Sequence, residues 1–205
     1  MPRSRVLAFL VLALLAAAPA WAESPSNLAG ITLGDAAKAY KGRIRPAATP
    51  VDKAPWLRRQ AVVPDKYFAG GYVLVGTCAA PGRVARIKVR YRDGSLDFFR
   101  KASGEMLSRY GDPTEYKGEL DGRVMGNKWG FSDPWLRPVS LILQRVEGED
   151  PETGAGNTVK LTNWGLIEAE RICWEERHAP PAAKAPARET AKGAAPDQDN
   201  GYLPR

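Results

Sequence analysis

The chain has 205 residues, a formal charge of +7, two cysteines and a single histidine. That length fits one domain of about 150 residues with extensions, and 44% hydrophobic with 26% charged residues excludes a wholly disordered chain. One histidine removes most zinc sites and most Ser/His or Cys/His machinery at the outset.

Residues 1–22 read as a secretory signal. Arg3 and Arg5 form a basic start, residues 6–17 are an unbroken apolar stretch, and Ala20, Trp21 and Ala22 give a small-x-small cleavage site. The apolar stretch falls short of the ~20 residues needed to span a bilayer. Residue 23 is Glu, not a lipid-bearing Cys. The expectation is cleavage after Ala22, leaving a periplasmic or secreted chain with no transmembrane segment. Residues 23–70 predict a short helix, capped by Asp35 and ended by Gly42, then a Pro-rich stretch. Pro46, Pro50, Pro55 and Pro64 forbid a long helix or a central strand there. This stretch is expected to lie extended over the domain, anchored by Trp56 and Leu57.

Residues 71–178 carry the main folding signals. The run 72–78 is apolar and β-rich, and Pro81-Gly82 forms a turn after it. Residues 84–92 then alternate, with Ala85, Ile87, Val89 and Tyr91 on one face and Arg86, Lys88, Arg90 and Arg92 on the other. That period of two predicts a half-buried strand with a cationic outer face. Ser95 caps a helix whose Leu96, Phe99, Ser103, Met106, Leu107 and Tyr110 share one side, and Gly111 with Pro113 stops it. Strands follow around 125–131, 139–144 and 159–163. Residues 166–177 favour helix by propensity, although their alternation also fits a strand. The order β-β-α-β-β-β-α predicts an α+β fold, a mainly antiparallel five-stranded sheet with helix packed on one face. Residues 179–205, with eight Ala and five Pro, have the composition of a disordered tail, and His178 stands at its foot.

Cys78 and Cys173 predict one disulfide in an exported chain. In the chain-entropy picture a loop near 100 residues is worth about 4.7 kcal/mol, and ~2–4 is more usual once strain is counted. No catalytic set emerges. Ser95, Ser103, Ser108, Ser132 and Ser140 have no ordered histidine to activate them, and paired cysteines cannot ligate a metal. The acidic loop Glu147, Glu149, Asp150 and Glu152 lacks the calcium-loop spacing. The sequence thus implies no cofactor, no metal and no catalytic residue. Carboxylate pairs such as Glu168/Glu170 or Glu115/Glu119 keep open the alternative of a small periplasmic hydrolase.

The primary reading is a non-enzymatic exported binding or envelope-assembly protein. Its candidate binding residues are Arg86, Lys88, Arg90 and Arg92, a row of like charges, and Trp135, in a loop between Pro134 and Pro138. Partners would be an envelope protein or an anionic surface polymer, and nucleic acid is disfavoured by export. The bland reading of the row is a solubilising face that guards a sheet edge. Trp129, Trp164 and Trp174 read first as core.

Residues 30–34 (Gly-Ile-Thr-Leu-Gly) and 107–113 (Leu-Ser-Arg-Tyr-Gly-Asp-Pro) resemble the G-[IV]-x-L-G and L-x-x-x-G-x-P signatures of small bacterial envelope modules. These include the SmpA/BamE outer-membrane assembly lipoproteins and β-lactamase-inhibitor-like domains. The resemblance implies a helix-plus-antiparallel-sheet module that works by protein contact. The chain departs from it in lacking the L-G-x-P close and a lipobox cysteine.

Expressed with export, the protein should begin at Glu23 and carry no alkylatable thiol before reduction. Intact mass with and without reductant checks both, and two alkylated thiols in the unreduced protein would sink the disulfide.

Overall fold

A computed structural model describes residues 24–118, 123–132, 138–148 and 155–179. The expected secretory signal, Trp135, most of the acidic loop and the tail from residue 180 lie outside them.

Ten strands and two α-helices form the described fold. A small hairpin, β1 (Asn27–Leu28) with β2 (Ile31–Thr32), leads into a 3₁₀ helix at Ala37–Tyr40. The main sheet comprises β3 (Ile44–Pro50), β4 (Leu57–Val62), β5 (Phe68–Gly76), β6 (Val84–Tyr91), β7 (Glu115–Gly118), β8 (Val124–Phe131), β9 (Val139–Val146) and β10 (Gly156–Asn163). Helix α1 is Leu96–Tyr110 and helix α2 is Trp164–His178. The spatial order is β3-β4-β5-β6-β10-β9-β8-β7 and each neighbouring pair is antiparallel. Two four-stranded meanders therefore meet along one seam, β6 against β10.

This overturns the five-stranded sheet with helix on one face. The fold is mostly β, with eight strands in one sheet and the small hairpin beside it. The Pro-rich stretch is not a strap laid over the domain but supplies β3 and β4. Pro46 and Pro50 are accommodated because β3 is the sheet edge, where a missing N–H breaks no ladder. The short helix shrinks to the 3₁₀ segment. Its N-terminal residue Ala36 makes no side-chain cap, and Asp35 instead accepts a 2.6 Å hydrogen bond from the Tyr40 hydroxyl.

The two helices lie on opposite faces. Strand alternation sends Val73, Val75, Ile87, Val89, Leu143, Val159 and Leu161 to one face, where Phe99 and Ala102 of α1 complete the main core with Trp129. The start of α1 is capped as expected, Ser95 Oγ accepting from the Phe98 N–H at 3.2 Å. At its end Gly111, at φ +76, donates its N–H to the Leu107 carbonyl at 2.8 Å. Leu107 itself faces outward and is 43% exposed, against expectation. The other face carries Tyr72, Leu74 and Leu57, with Trp56 and Ile167 of α2 against them.

Two contacts fix α2 to the turn after β5. Cys78 and Cys173 form the expected disulfide. One helical turn earlier Glu170, 1% exposed, accepts hydrogen bonds from the backbone N–H groups of Thr77 (2.8 Å), Cys78 (2.5 Å) and Ala80 (2.5 Å). Gly76 is required there, since a Cβ on it would stand 2.2 Å from Glu170 Oε1.

Glu170→Gln keeps the shape but replaces one acceptor oxygen by a donor facing N–H groups. It should lower stability by roughly 2–4 kcal/mol, whereas Glu168→Gln on the outer surface should stay within about 0.5 kcal/mol. Urea unfolding of the oxidised proteins measures both, and equal midpoints would refute the assignment.

Candidate functional site

The strongest concentration of one charge sits on the sheet face shared with α2. On β6, Arg86, Lys88 and Arg90 point to this face as the alternation predicts, spaced ~6.6–6.8 Å apart along the strand. Register then adds a residue that strand patterning alone did not single out. Lys160 of β10 stands directly opposite Lys88, with Thr158 opposite Arg90 and Thr162 opposite Arg86. Lys128 of β8 occupies the same rung two strands further on, across Ile142 of β9. Arg59 of β4 joins from the other side, its guanidinium 4.4 Å from the Tyr72 ring centre.

The cations are held differently. Lys88 is 4% exposed. Arg86 donates from Nε to Thr162 Oγ1 at 3.1 Å and lays its guanidinium 5.3 Å from the Trp164 ring centre. Arg86, Arg90 and Lys160 are all half-buried. Lys128 pairs with Glu115 at 2.9 Å. Arg92 leaves the row. It lies just past the end of β6, exposed, and donates from Nε to the Asp65 carbonyl at 2.6 Å. Trp135 lies outside the described residues. Trp164 is the aromatic that borders the patch, 43% exposed and tethered by its Nε1–H to Ser140 Oγ at 2.9 Å.

Glu168 and Glu170 do not come together. Glu170 faces inward to the turn after β5, and Glu168 faces outward to Arg171, whose hydrogen bond holds its carboxyl below the usual range. Glu115 is tied to Lys128, and Glu119 lies outside the described residues. His178, in the last turn of α2, stacks on Trp174 at 4.1 Å with its Nδ1 2.7 Å from the Trp174 carbonyl oxygen. Among the described residues no helix is long and apolar enough to cross a membrane.

On the opposite face a groove of about 380 Å³ runs between the N-terminal hairpin and α1. Leu28, Tyr91, Phe98, Glu105, Met106 and Tyr110 are among its walls. Burial, with the Glu105 charge nearby, pushes the Tyr91 hydroxyl up to about 12.

Comparison of the chain with protein-family models, with curated proteins and with solved structures finds no match.

Because Tyr91 ionises less readily folded than unfolded, the stability it lends is whole below pH 10 and drains away as pH climbs towards 12. An ultraviolet titration should show one tyrosine ionising about two pH units after the exposed ones, and Tyr91→Phe should remove that step. An unchanged titration curve in the variant would contradict this.

Proposed function

We propose that the protein is an exported, non-enzymatic binding protein that holds an anionic surface polymer of the cell envelope on its cationic sheet face. The observation that carries the reading is the juxtaposition of Lys88 with Lys160, bracketed by Arg86 and Arg90. Four like charges on two adjacent strands raise the local potential enough to concentrate a polyanion. Trp164, at the end of the row, offers a flat ring beside Arg86. The apolar-plus-basic surroundings suit a polymer whose acidic groups alternate with sugar rings.

The secretory reading of residues 1–22 and the disulfide support an extracytoplasmic setting, where such bridges persist. The resemblance to small envelope modules points the same way. On this reading Arg86, Arg90 and Lys160, the half-buried members, meet the polymer, while Lys88 sets the field beneath it.

Arg90→Ser with Lys160→Ser removes two charges without disturbing a core side chain. Affinity for heparin, used as the polyanion, should fall about tenfold, as expected for two surface contacts of up to ~1 kcal/mol each. The melting temperature should not fall. Unchanged retention on a heparin column at 0.15 M salt would defeat the proposal.

A further inference from the structure

A second cavity, of about 450 Å³, lies between the 3₁₀ helix and the edge strand. Its volume falls in the range of small-molecule sites, about 300–1,000 Å³. The floor is apolar, with Ala37 and Ile44 buried in the main core and Pro46 beside them. Three cations line it, Lys38, Lys41 and Arg45, and no acidic residue does. Among the described residues none of the three is engaged by a carboxylate.

The local backbone is shaped for this opening. Ile44 pairs with Val62 and Ala48 with Gln60, so β3 spends four residues where β4 spends two. The resulting bulge lifts residues 45–47 off the ladder and turns Arg45 and Pro46 towards the cavity, a role bulges commonly serve beside binding sites. Gln60 spans the gap. Its Nε2 donates to the Pro46 carbonyl at 3.1 Å, and its buried Oε1 has no hydrogen-bond partner. A buried acceptor left unmatched is costly in a finished core. It is what remains where a ligand supplies the missing donor.

We infer that this cavity binds a single-chain anionic amphiphile, an acyl chain joined to a headgroup bearing a phosphate and a hydroxyl. The phosphate meets Lys38, Lys41 and Arg45, the hydroxyl donates to Gln60 Oε1, and the chain covers Ile44 and Pro46. Charge complementarity selects the anion, and the apolar floor selects an amphiphile over a free inorganic ion. The site is separate from the cationic sheet face, because Ile44 and Ala37 belong to the core on α1's side.

Isothermal titration calorimetry on the full chain tests it, with 1-dodecanoyl-glycerol 3-phosphate below its micelle-forming concentration as the probe. One molecule should bind per chain, at least tenfold tighter than either inorganic phosphate or neutral dodecyl maltoside. The triple variant Lys38→Ser, Lys41→Ser, Arg45→Ser should lose at least tenfold in affinity with its melting temperature kept. The Arg90→Ser, Lys160→Ser variant should bind as well as the parent, which separates this site from the polymer face. Equal binding of dodecyl maltoside, equal binding of inorganic phosphate, an unaffected triple variant or no binding at all would each overturn the proposal.

Discussion

The fold depends on a carboxylate buried where water cannot reach it. Glu170 stands in the inward stripe of α2, and a bare charge there would cost several kcal/mol. The turn after β5 offsets that cost by aiming three backbone N–H groups at the two oxygens. Successive amides curled into a concave set bind anions in this way. Here the anion is the protein's own side chain. Gly76 leaves room for it, and Cys78, whose own amide donates to it, bonds Cys173 one helical turn further along. Residues three apart on a helix share a face. The disulfide therefore holds α2 near the turn, and the carboxylate fixes its rotation and height.

That clasp matters because of where the chain has to close. The sheet is two meanders, β3–β6 and β7–β10, whose own strands are joined locally. Only the β6–β10 seam joins them within the sheet, and its partners are about 70 residues apart in sequence, a pairing that closes a long loop before it gains anything. Two connections reinforce the seam. α1 passes over one face between the meanders, its first turn held by Asn157 of β10, whose Nδ2 donates to the Asp93 and Ser95 carbonyls at 2.9 and 2.8 Å. α2 returns across the other face and is locked to the first meander through Glu170 and Cys173. These contacts stabilise the pairing from both sides of the sheet.

Much of the sheet from β5 onwards was legible. The apolar run 72–78 located β5, alternation located β6, β8 and β9, the Ser95 and Gly111 signals bounded α1, and the two cysteines pointed to the bridge. β3 and β4 hid behind the prolines from Pro46 to Pro64, which read as anti-strand signals until β3 is known to be an edge. Glu170 hid for a related reason. At 3- and 4-residue spacing it falls in line with Ile167, Cys173 and Trp174, but a carboxylate in an apolar stripe reads as solvated surface unless the amides that receive it are known. Of the candidate site, Arg86, Lys88 and Arg90 were readable because period two is a local property. Lys160 was not, since its position opposite Lys88 depends on β10 returning beside β6. Arg92 continued the pattern in sequence but fell beyond the strand.

Topology also separates the two readings of the cationic row. Charges that protect a sheet from aggregation belong on edge strands, where unpaired N–H and C=O groups invite another chain. This sheet guards its edges by other means, prolines on β3 and only four residues in β7. The row lies instead on β6 and β10, the two central strands, each hydrogen-bonded on both sides. A solubilising surface also mixes signs, whereas Arg86, Lys88, Arg90 and Lys160 form a block of one sign with Lys88 almost fully buried. Neither edge protection nor solubility explains charges in that position. A row at the centre of the sheet, away from both edges, is the placement that the proposed recognition of an anion would use.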